Sequence, residues 1–232
     1  MRRSESTEGN SIEARDVSSE GSWARGPGRN AAASGQGWLE ALDDWHPGRI
    51  WWVRLPLLGY MVWLFVHHVN DPMYQSLLKG LDLGVHELGH ILFSPFGEFL
   101  SIAGGTISQC ALPLVGMAMF LRQRDLFAIA FGLAWLGVNF HDVAVYAADA
   151  RAMELPLVSP FAGDEIGHDW NLMLERTGLL EKDQSIGWMF HAAGHLFLLA
   201  GILLGAWTLW RMRRVNAGPD PTGTPGPPFR AW

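Results

Sequence analysis

His86-Glu87-Leu88-Gly89-His90 is the stretch on which the reading of this chain turns. On an α-helix, residues four apart share a face, so the two imidazoles can grip a single metal ion. Glu87 follows the first of them directly, where a carboxylate can take a proton from a water on that ion. Gly89 carries no side chain and leaves room beside the site. Leu77, Leu78, Leu81, Leu83 and Val85 precede this clamp, and Ile91, Leu92 and Phe93 follow it. A clamp inside an apolar run points to a site at membrane depth. The soluble metzincin pattern H-E-x-x-H-x-x-G-x-x-H is excluded, because Ile91-Leu92-Phe93-Ser94-Pro95-Phe96 follows His90 and supplies no third histidine.

Composition supports the same class. The 232 residues are 49% hydrophobic and only 17% charged, with 12 Trp and 12 Phe, which favours a polytopic membrane protein. A formal charge of -6 argues against a nucleic-acid partner, whose binding needs basic surface. Cys110 is the single cysteine, so an intrachain disulfide is impossible and metal ligands must be His or carboxylate.

Outward from the clamp, the sequence predicts an all-α integral membrane protein with about five transmembrane helices. Residues 1–48 are polar and read as a disordered N-terminal tail, with 38–45 a candidate interfacial helix and no secretory signal. The membrane domain covers 49–214, and 215–232 is a second disordered tail. Apolar runs place spans near 50–69, 74–93, 110–121, 126–148 and 188–210. Between the second and third, the passage 94–109 contains Pro95, Gly97, Gly104 and Gly105 and reads as a re-entrant loop or hairpin. The stretch 149–186 carries eight acidic and three basic residues, whereas Arg122, Arg124, Arg211, Arg213 and Arg214 close two spans. The positive-inside rule then puts the C-terminus on the cytoplasmic side, of the inner membrane if the source is prokaryotic. Arg49 and Arg54 want that side too, yet five full crossings put them opposite. Either the re-entrant passage adds a crossing or one short span does not cross.

A catalytic zinc takes three protein ligands and keeps a position open for water. Four places can supply the third ligand: His141 with Asp142, Asp149, His168 with Asp169, and His191 with His195. Ionisable groups in spans are costly and so are candidates for function. Asp82 lies four residues before His86 and is placed to accept a hydrogen bond from that ring and fix its tautomer.

The apolar clamp helix followed by a Gly-Gly passage and further spans resembles the site-2 protease family of intramembrane zinc metalloproteases. The resemblance implies Zn2+ held by His86 and His90, Glu87 as general base, and a distant Asp as third ligand. In that family the Asp lies in an Asp-Gly motif, and no Asp-Gly follows the clamp here. The nearest counterpart is Pro156 followed by Gly167-His168-Asp169-Trp170-Asn171, which ranks Asp169 first, ahead of His168 and Asp142. The implied activity is cleavage of membrane-protein substrates within the lipid bilayer, with the passage 94–109 presenting an extended substrate by strand addition. Two other classes remain open: a His-rich di-metal oxygenase or desaturase using His67, His68, His141, His191 and His195 as well, and a non-catalytic scaffold holding haem or a structural metal.

Overall fold

Helix α1, Leu55–Asn70, begins one turn after Trp51, with Pro56 in its first turn where a missing N–H costs nothing. It stops at Asp71, whose extended backbone precedes Pro72. The computed structural model describes residues 50–156 and 167–216; the expected N-terminal tail, with the helix at 38–45, the stretch 157–166 and the expected C-terminal tail beyond Asn216 lie outside the described residues. Five more helices follow: α2 (Lys79–Phe93), α3 (Glu98–Arg122), α4 (Leu126–Ala148), the short α5 (Asp169–Arg176) and α6 (Asp183–Asn216). No strand occurs among the described residues.

Among the described residues, three helical stretches are long and apolar enough to cross a membrane: Glu98–Arg122, Leu126–Ala148 and Leu180–Arg214. Helices α1 and α2 have 16 and 15 residues, or about 24 and 22 Å at ~1.5 Å per residue, short of a ~30 Å hydrocarbon layer. Large apolar side chains such as Val62, Trp63, Leu88, Leu92, Val115 and Leu203 face outward from α1, α2, α3 and α6, whereas α4 exposes none. In water that surface would drive association.

The α4–α6 pair is the spine, and small residues let it close. Gly137 lies against the Gly194 carbonyl, Gly201 against Ala130 and Ala134, and Gly187 against Ala144 and Ala148. Each step of seven residues along α4, from 130 to 137 to 144, is met by a step of seven back along α6, from 201 to 194 to 187. The helices are therefore antiparallel in fixed register, with the repeat that gives a shallow left-handed crossing. In lipid, close backbone approach of this kind replaces hydrophobic burial as the source of attraction. Met61, Leu64, Val138 and Leu198 fill the core where α1 packs onto this pair.

The two ends of the bundle differ in charge. At one end Arg54 reaches Asp125 at 3.2 Å and lies over the Phe127 ring, and Phe127 packs on Leu209 and Met212. Asp125 also caps α4, accepting the Ala128 N–H at 3.0 Å, an arrangement usually worth ~1 kcal/mol. The start of α1, the turn carrying Arg122 and Arg124, and the Arg211-bearing end of α6 thus share one end. The other end holds Glu98, Asp149 and Glu181, with Arg151 bridging Glu181 and the buried Asp183 at 2.9 and 2.8 Å. Arg151 is raised above its ordinary range by the Asp183 carboxylate beside it.

Helix α2 does not begin at either end. Asp82, in its first turn, accepts a 2.8 Å hydrogen bond from Trp135 near the middle of α4, and α2 then runs beside α3 to the acidic end. The eight residues 71–78 connect the end of α1 to that mid-depth start, with Tyr74 folded back onto Trp63, His67 and His68.

The expected re-entrant loop or hairpin at 94–109 is overturned. After a single 3-10 turn, Ser94–Phe96, and Gly97 at φ 100°, the chain enters one continuous 25-residue helix, α3, which also absorbs the separate span expected at 110–121. The glycines taken as punctuation serve a crossing instead. Gly89 and Gly104 face each other so closely that a Cβ on either would collide with the other's carbonyl. Gly89 is thus occupied by the α2–α3 contact and does not hold open space beside the clamp.

Candidate metal centre

His86 and His90 lie one turn apart on α2, with their Nε2 atoms aimed at α5. Asp169, the first residue of α5, meets both: its Oδ2 is 3.0 Å from His86 Nε2 and 3.3 Å from His90 Nε2. These three residues form a group whose ligand atoms all lie within 4.8 Å of one another. In a tetrahedral site with metal–nitrogen bonds of 2.0–2.1 Å, ligand atoms sit about 3.3 Å apart, so the spacing fits an ion with little movement. Burial pushes the Asp169 carboxyl up, but hydrogen bonds from His86 and His90 outweigh it and hold the group below the usual carboxylate range.

Each ring is fixed from behind. His90 Nδ1 donates to the Ser101 carbonyl at 2.8 Å, and Ser101 Oγ returns a 3.0 Å bond to the His90 carbonyl. His86 Nδ1 faces Gln109 Oε1 at 3.2 Å. With Nδ1 committed as the donor on each ring, the Nε2 that faces Asp169 offers a lone pair once its proton leaves, and that is the tautomer a metal requires.

The Gln109 link has its own origin in the sequence. Pro113 lies inside α3 and has no N–H, so the Gln109 carbonyl four residues earlier loses its helical partner. Asn139 of α4 takes that place, donating to the Gln109 carbonyl at 2.8 Å, while its own Oδ1 accepts from Gln109 Nε2 at 3.3 Å. Gln109 and Asn139 are both buried, and the pairing leaves Oε1 of Gln109 turned to His86.

Gly105 completes the cradle. A Cβ there would sit 2.5 Å from His86 Nε2 and 2.7 Å from His90 Nε2, in the space the two lone pairs share. The residues present therefore fit a metal ion: two tautomer-fixed imidazoles, one carboxylate, and a glycine where any side chain would intrude. Glu87, Tyr146, Thr106 and Lys79 line the same cavity of about 610 Å³.

The other expected residues lie elsewhere. His168 caps α5, accepting the Asn171 N–H at 3.2 Å through Nδ1, and its Nε2 meets Asp149 at 3.3 Å. Asp142 borders the cavity but pairs with Lys79 at 3.1 Å. Asp82 is not the partner of His86; Gln109 holds that position, and the Asp82 carboxylate is engaged by Trp135. Tyr146, unnoticed in the sequence, accepts the Asp169 N–H at 3.0 Å and so anchors the start of α5. The signal for Gln109 was available: an amide in an apolar run four residues before a proline. Among the described residues a second group, His141, His191 and His195, is also placed to hold a metal ion, and it shares no member with the first. No family model, curated protein or solved structure matches this chain.

Proposed function

We propose that the chain is an intramembrane zinc metalloendopeptidase acting on membrane-protein substrates, similar to the site-2 protease family. The observation that carries the reading is the convergence of His86, His90 and Asp169 on one cavity that Glu87 also lines. A bound zinc ion supplies an acidified water and a positive charge that polarises the scissile carbonyl. Glu87 receives the proton released by the attacking water and passes it to the leaving amine. His86, His90 and Asp169 hold the ion, and Gln109 and Ser101 keep the two rings in register.

A transmembrane helix must unwind before one of its peptide bonds can reach such a site. The non-helical segment 71–78 contributes Pro72, Met73, Tyr74 and Gln75 to the cavity wall, and it replaces 94–109 as the backbone against which an unwound substrate would lie. The test uses the full chain reconstituted with a panel of single-span peptides carrying helix-breaking residues. Zinc-loaded protein is expected to cut at least one of them, a chelator to stop cleavage, and added zinc to restore it. Cleavage unaffected by chelation would overturn the reading.

The same reading gives a topology. Helix α1 with the 3-10 turn Trp52–Arg54 before it is about 30 Å long and crosses, 71–93 dips to mid-depth and returns, and α3, α4 and α6 cross. Four crossings put Arg54, Arg122, Arg124, Arg211, Arg213 and Arg214 on one side, the cytoplasmic side by the positive-inside rule, which removes the conflict that five spans create. In a Cys110→Ala background, Trp52→Cys and Arg213→Cys should label from the same face of sealed vesicles and Glu181→Cys from the other. Labelling of the first two from opposite faces would rule out this topology.

A further inference from the structure

The second histidine group lies between α1, α4 and α6 and has no part in the cavity just described. We propose that His141, His191 and His195 form a second metal site, for a late first-row transition ion such as zinc. His141 Nδ1 and His191 Nδ1 face each other at 2.7 Å, and the ligand atoms of the three residues all lie within 4.8 Å. His195 Nδ1 donates to the His191 carbonyl at 2.9 Å, which leaves the lone pair of that ring on Nε2. The three rings meet within 4.6 Å, 4.5 Å and 5.3 Å, centroid to centroid.

What sets this group apart from ordinary packed histidines is how poorly the protein satisfies it. His141 is 1% exposed, and its Nε2, pressed against Gly194 in the α4–α6 seam, has no hydrogen-bond partner. His68 is equally buried, stacks on His141 at 4.3 Å with an 8° interplanar angle, and has no partner at either nitrogen. Three buried ring nitrogens without a partner are unusual, because buried polar atoms are nearly always bonded. An ion that takes lone pairs from the cluster lets the rings settle into tautomers with defined donors. The donor set is all imidazole, which suits zinc, copper or nickel and not magnesium or calcium, whose ligands are oxygens. Three protein nitrogens also leave the fourth position of a tetrahedral ion open.

The site shares no residue with His86, His90 and Asp169, so it stands whether or not that centre is catalytic. The probe is Co2+, added to the purified full chain in detergent. The His86→Ala/His90→Ala variant is expected to keep one Co2+ per chain with the visible absorption of a tetrahedral nitrogen site. Adding His191→Ala or His195→Asn to it should weaken Co2+ binding at least tenfold. Both second-group residues are only half-buried, so their replacement spares the core, and circular dichroism with gel filtration verifies the fold. A folded first-site variant that takes up no Co2+, or uptake unchanged by either second-group substitution, would show a dry imidazole cluster and overturn the proposal.

Discussion

Glu87→Gln should leave the metal content of the protein at its wild-type level and lower kcat by about 10²–10⁴-fold, the usual contribution of a positioned general base. Glutamine keeps the size and one carbonyl oxygen of glutamate but cannot accept a proton at neutral pH. The metal is expected to stay because the three donors that meet are His86, His90 and Asp169. Glu87 lines the cavity beside them without belonging to that set. The measurement pairs metal analysis with cleavage rate on one preparation. A variant that cleaves at the wild-type rate would remove Glu87 from the mechanism, and one that loses its metal would make it a ligand instead.

The second large effect is expected from a single methyl group. Gly105→Ala places a carbon within 2.5 Å of His86 Nε2 and 2.7 Å of His90 Nε2, where van der Waals contact needs roughly 3.5 Å. The rings must swing away, and they leave the positions that Ser101 and Gln109 impose. Metal affinity at this site should fall more than about 100-fold, since disturbing the partners that orient a ligand already costs 10–100-fold. Gly116→Ala is the control, because a Cβ there, on the same helix, meets nothing within 4 Å. Titration with zinc against a competing chelator separates the two. Wild-type affinity in Gly105→Ala would mean that the ion, if any, sits elsewhere.

These two positions show what the sequence can and cannot reveal. The clamp was legible because its geometry is local: a helix alone sets the relation of residues 86, 87 and 90. Asp169 could be ranked from its residue type and its apolar neighbours, and Asp169 is the carboxylate that meets the two rings. Gly105 was visible but misread. Its pairing with Gly104 resembles a chain break when only neighbours in sequence are considered, and becomes a helix crossing once α2 is packed against α3. The partner of His86 was misplaced for the same reason. Asp82 is one turn from His86 along α2, but Gln109 comes from another helix, and its orientation depends on a proline four residues on and an asparagine on a third helix. The helical membrane class followed from composition. The depth at which α2 begins did not, because it is set by long-range contacts of Lys79 and Asp82 with α4.

Two of the three candidate ligands ride on one rigid helix, while the third is carried by an eight-residue helix fastened at its start by Tyr146 and by the Asn171 bond to the Ala150 carbonyl, and at its far end by the Arg176–Glu98 pair. On the proposed reading, capturing an ion and seating that short helix are a single equilibrium, each favouring the other by the same free energy. On that reading, a displacement of α5 from the acidic end would separate Asp169 from the two imidazoles without altering any of the three residues.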